Sequence, residues 1–113
     1  MIEQKARFRL LLLEVAALLT RGKEWSRASR IEAATRDDQS VEAFLGSNDL
    51  WGGAGSIADE AIPSDNPLRA ELESLLIQLG KLQLAVQIVN PRTELWVRAF
   101  ENWQRLGLRT RKT

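Results

Sequence analysis

The side chains able to carry chemistry crowd into the middle of the chain: Asp37, Asp38, Glu42, Asp49, Asp59 and Glu60, with Trp51 among them. Carboxylates in such company have three uses: an acid and base pair, a ligand set for a hard cation, or a negative docking surface. Glycosidase-type chemistry needs two of them held apart across a cleft. Their spacing matches neither a calcium loop nor the paired-helix carboxylate and histidine arrangement of di-metal proteins. The chain has no histidine, no cysteine and no tyrosine. The usual general base, the commonest zinc ligand, the thiolate nucleophile and any disulfide are thereby removed. The expectation is a protein that is not an enzyme and takes no metal or cofactor, with these six acids and Trp51 as its partner-binding residues. Tryptophan is enriched where interfaces concentrate their binding energy, which favours Trp51 as an anchor. A second reading folds its indole into the core beside the glycines that follow, and solvent exposure separates the two.

The charge of the whole chain is +1, but it is unevenly spread. Residues 1–30 carry a net +4, residues 31–66 a net −7 and residues 67–113 a net +4. An acidic third between two basic ones suits a basic protein partner, because complementary charge speeds encounter and rejects wrong partners. It also opposes phosphate, so nucleic acid is the lesser expectation and rests on Arg105, Arg109, Arg111 and Lys112 alone.

Residues 53–58 read Gly-Ala-Gly-Ser-Ile-Ala, formally the dinucleotide fingerprint G-x-G-x-x-A. That fingerprint binds pyrophosphate only where a strand leads in and a long helix leads out. Here a helix or turn precedes it and Pro63 follows closely, so the glycines read as a structural turn.

The elements that must position these residues are helical. Phe8, Leu11, Leu12, Val15, Leu18 and Leu19 recur at three-and-four spacing over residues 3–20, with Gly22 as the stop. A second helix is expected over residues 25–36, with Trp25 as a packing anchor, and a brief third over residues 40–45. Gly46, Ser47, Asn48 and Asp49 read as turn residues. A short helix at residues 56–61 would be capped by Ser56. Asp65 or Asn66 caps the clearest helix, opened by Pro67 and striped by Leu68, Leu72, Leu75, Leu79, Leu82 and Val86. Gly80 within it either kinks the helix or lets a neighbour approach. Asn90 and Pro91 break the chain before a last helix over residues 93–106, whose Trp96, Phe100 and Trp103 share one inner face. Leu76, Ile77, Leu84 and Ile88 lie outside the main stripe, which leaves a homodimer open.

At 113 residues, 44% hydrophobic and 27% charged, the composition is that of a folded globular chain rather than a disordered one. The expected fold is all-α: a compact bundle of four to five helices with a glycine-rich loop at residues 51–56. One domain would cover residues 1–108, and residues 109–113 would be a mobile basic tail. The apolar run Leu10 to Leu19 follows basic residues as in a signal peptide, but Glu3 and Glu14 interrupt that pattern. It is also shorter than the ~20 apolar residues a membrane span requires. A cytoplasmic location with no membrane contact is the expectation.

Trp25, Gly52, Gly53, Gly55, Ser56 and Asp59 together resemble the Trp…Gly-Gly-x-Gly-Ser-x-x-Asp signature of a small bacterial helical domain family of unknown function. The likeness covers about residues 8–80. It implies a helical fold and a bacterial source and transfers no catalytic residue. The functional expectation is a protein-binding module, of the kind that neutralises a basic partner as immunity proteins and antitoxins do. A small nucleic-acid-associated regulator and a structural homo-oligomer are the alternatives.

Overall fold

A computed structural model describes residues 2–106 except Ala54 and Ser64, and the backbone alone of Ile2, Glu3 and Glu60. Residues 109–113, expected as a basic tail, lie outside the described residues. Among the described residues every regular element is a helix and none is a strand. They are α1 (Ile2–Arg21), α2 (Trp25–Ala34), α3 (Asp38–Leu45), α4 (Asn48–Trp51), α5 (Ile57–Glu60), α6 (Leu68–Val86) and α7 (Thr93–Arg105). Four to five helices were expected, and two of these seven are single turns. The one without a counterpart among the expected segments, α4, takes residues that read as a turn. Ser47 makes this happen: its hydroxyl oxygen accepts from the Leu50 N–H at 3.4 Å, capping the turn.

The long helices α1 and α6 form the frame. α1 packs on α2 and α6, and α6 packs on α7. Phe8, Leu11, Leu12, Val15, Leu18 and Leu19 are all buried, as their spacing requires. Leu72, Leu75, Leu76 and Leu79 meet them from α6 in one continuous core that also takes in Ile31, Leu45, Leu50, Trp51, Ile62 and Phe100. The radius of gyration is 13.2 Å, close to the ~13 Å expected of a folded chain of about 100 residues.

Both long helices end in the same way. After α1 the Glu24 N–H donates to the Leu19 carbonyl at 2.8 Å and the Lys23 N–H to the Thr20 carbonyl at 3.0 Å. After α6 the Ile88 N–H donates to Gln83 and the Gln87 N–H to Leu84 in the same pattern. This Schellman arrangement needs a left-handed residue just past the helix. Lys23 (φ 64°) and Gln87 (φ 62°) supply it. Gly22, expected as the stop by its flexibility, serves through its size instead: a Cβ there would lie 2.7 Å from Ile62 Cδ1. Gly80 likewise lets a neighbour in, since a Cβ would collide with Val97 of α7 and lie 3.2 Å from the Trp51 ring. At the start of α6 the Asn66 side-chain oxygen accepts from the Leu68 N–H at 2.9 Å, as its cap role predicts.

No helix among the described residues is long and apolar enough to cross a membrane.

Candidate functional site

Trp51 is 0% exposed, so the reading that made it a surface anchor is corrected in favour of packing. Its indole N–H donates to Gln83 Oε1 at 2.9 Å, and its own carbonyl accepts from the Trp96 indole at 3.0 Å. The space opened by Gly80 is what draws the ring inward. Trp25, expected as a packing anchor, is the tryptophan that stands outside, at 59% exposure on the first turn of α2.

The glycine segment between α4 and α5 is built to turn rather than to cradle phosphate. A helix leads in, and α5 is a single turn leading out, so the aligned N–H groups of a dinucleotide site are missing. Gly52 passes close to Asn48, where a Cβ would lie 2.6 Å from the carbonyl oxygen, and Gly55 takes φ 88°. Ser56 is buried; its hydroxyl donates to the Gly52 carbonyl at 2.7 Å and accepts from the Asp59 N–H at 3.1 Å.

The acids do not stand as one unopposed face. Asp38 is held by Arg9 at 2.9 Å and by Lys5 at 3.8 Å, both from α1. Arg9 also donates to the Thr35 carbonyl at 2.9 Å, tying the end of α2 to the start of α3. Asp49 of α4 faces Arg30 of α2 at 3.5 Å. Asp37 caps α3, accepting from the Ser40 N–H at 2.7 Å, with Arg36 at 3.6 Å. The Ser40 N–H and hydroxyl, with Arg36 beside them, hold its carboxyl below the usual carboxylate range. Asp59 is exposed on α5, and the Glu60 side chain lies outside the described residues. The acidic middle of the sequence therefore folds against the basic first third. Among the described residues no three acids gather closely enough to hold a metal ion.

Two of the predicted residues are brought to one place. Asp38 and Glu42, one turn apart on α3, stand over a recess of about 250 Å³ between the N-terminal half of α1, α3 and the end of α6. Its apolar lining is Phe8, Val41, Leu45, Val86 and Ile88, with Gln4 and Lys5 at the α1 side. The Gln4 Oε1 atom is buried and accepts no hydrogen bond from the described residues. Sequence reasoning missed this recess because its lining comes from three separate segments. Each of them contributes residues that read as ordinary core positions.

Buried polar residues inside α6 were missed as well. Arg69 is 4% exposed, and its guanidinium reaches Glu73 at 2.8 Å, the Ala58 carbonyl at 2.7 Å and the Ile62 carbonyl at 3.1 Å, with the Phe100 ring 5.5 Å away. It is a clamp on the end of α5. The available signal was its i,i+4 spacing to Glu73, on the face shared by Leu72 and Leu76.

Compared with known proteins, the chain matches no protein-family model, no curated protein and no solved structure.

Proposed function

We propose that the chain is a small helical binding module, working by contact rather than catalysis, whose partner is a basic protein of the sort that immunity proteins and antitoxins neutralise. The observation that carries the reading is the recess under Asp38 and Glu42. It offers an apolar floor for an inserted side chain, a buried acceptor at Gln4 Oε1 and carboxylates at the mouth. An apolar pocket with a few placed polar groups is how a protein surface fixes an anchor residue, and a neighbouring carboxylate selects a basic neighbour to that anchor. Glu42 is the carboxylate to test, since Asp38 is already engaged by Arg9 and Lys5.

The proposal includes a single helical domain, a bacterial source as the glycine signature implies, and a cytoplasmic site of action. Affinity capture from the native lysate, followed by mass spectrometry, tests the function. A basic partner should be retained by the native chain, and Glu42→Lys or Ile88→Trp, which reverses the rim or fills the floor, should each release it. Retention of the same partner by both variants would refute this assignment of the surface.

A further inference from the structure

α1 buries one side and presents another that is also apolar. The residues it exposes between its ends are Ala6, Arg7, Leu10, Leu13, Glu14, Ala17, Thr20 and Arg21. Ala6, Leu10, Leu13 and Ala17 follow one another at spacings of four, three and four, the seam of a helix that packs along another helix. Leu10 is 59% and Leu13 41% exposed, and none of the described elements covers them. Beside Leu10 a shallow groove runs between Gln4, Ala6, Arg7 and Leu82 of α6, widening the apolar area.

The charges along the seam indicate what covers it. Arg7 and Glu14 stand seven residues apart on the same margin. Among the described residues neither takes part in an ion pair, whereas Lys5, Arg9 and Arg21 of the same helix are engaged. In an antiparallel helix pair, residues on this margin face the same margin of the neighbour. A two-fold axis between Leu10 and Leu13 sets Leu10 of one copy against Leu13 of the other and Ala6 against Ala17. The same axis sets Arg7 of each copy about two residues, or ~3 Å along the helix, from level with Glu14 of the other, within side-chain reach, so these two charges are matched twice by one symmetric operation. We propose that this chain forms a two-fold homodimer through antiparallel contact of α1 with α1 of a second copy. The recess under Glu42 shares Gln4 with this groove, while Glu42 itself, on α3, lines the recess and not the groove.

The oligomeric state tests this directly. Sedimentation across a dilution series of the full chain should show about twice the 12.8 kDa chain mass. Leu10→Glu should leave a monomer with unchanged helical content, because the side chain it replaces is exposed. Arg7→Glu and Glu14→Arg should each weaken dimerisation about tenfold by opposing like charges, and combining them should restore it. The absence of cysteine allows an orientation check: mixed Ala6→Cys and Ala17→Cys chains should form a disulfide with each other and not with themselves. A chain that stays monomeric at the highest concentration would overturn the proposal. So would a dimer indifferent to Leu10→Glu, single charge variants not rescued by the double, or crosslinking of Ala6→Cys to itself. Glu42→Lys should leave the dimer intact, so failure of the binding recess and failure of this interface are read separately.

Discussion

Trp51 and Gln83, 32 residues apart, meet in the core through a hydrogen bond of 2.9 Å from the indole N–H to the amide oxygen. The same amide donates to the Leu45 carbonyl at 2.9 Å and to the Ile88 carbonyl at 2.8 Å. One fully buried side chain therefore satisfies the end of α3, the single-turn α4 and the exit of α6. Gln83→Leu would strand the Trp51 N–H and the Leu45 carbonyl in the interior, at about 1–3 kcal/mol for each, and release the part-buried Ile88 carbonyl as well. A loss of about 3 kcal/mol or more in urea unfolding is expected. Trp51→Phe should lose less on its own, and the two changes should couple, because they remove opposite ends of one bond. A loss under about 1 kcal/mol for Gln83→Leu would show that the amide is not holding these segments.

Arg69 poses a related question about charge. Truncating one member of a buried ion pair costs about 3–5 kcal/mol, because the other charge is left in the interior. Arg69→Met should fall in that range, and amide exchange should accelerate most in residues 57–62, where the guanidinium holds the Ala58 and Ile62 carbonyls. Arg69→Lys should recover only a part, since an ammonium group cannot present a planar fork to a carboxylate and two carbonyls together. Full recovery by lysine would reduce the role of Arg69 to its charge.

The repetitive part of this architecture was legible in the sequence. The three-and-four spacing on α1 and the Asn66–Pro67 opening of α6 act within a few residues, and both are in place. What was not legible depends on which distant residues meet. The burial of Trp51 follows from the gap at Gly80, which only the packing of α6 on α4 and α7 reveals, and nothing local in the sequence marks Trp25 as the tryptophan left outside. The net charge of residues 31–66 suggested an acidic face. Asp38 and Asp49 instead meet Arg9 and Arg30, partners from a block whose opposite charge was visible although its pairing was not. Of the predicted binding residues, Asp38 and Glu42 alone share the recess, because one helical turn separates them and the apolar lining lies beneath both.

Asp37 gives the chain an acid-sensitive cap. Its carboxyl is held below the ordinary value of 3.8, foremost by the Ser40 N–H, so the folded state binds its proton less readily than the unfolded state. The stabilisation is complete above 3.8 and is lost as pH falls through the depressed folded-state value. Asp37→Asn keeps a capping oxygen and removes the titration. Urea midpoints of the native chain should therefore fall more steeply than those of the variant as the pH drops below about 4. Parallel acid limbs would place the sensitivity elsewhere.

The left-handed residues Lys23 and Gln87 predict a gain rather than a loss. A side chain at positive φ costs roughly 1–2 kcal/mol, and glycine avoids that cost while giving back part of it as chain entropy in the unfolded state. Lys23→Gly and Gln87→Gly should each raise stability by about 0.5–1 kcal/mol in urea unfolding. Gly55 supplies the opposite control. It takes φ 88°, and a Cβ there would meet nothing within 4 Å, so any cost of Gly55→Ala comes from the backbone and not from crowding. Gly55→Ala should destabilise by about 1 kcal/mol. If all three substitutions moved stability in the same direction, backbone conformation at these turns would not be what governs it.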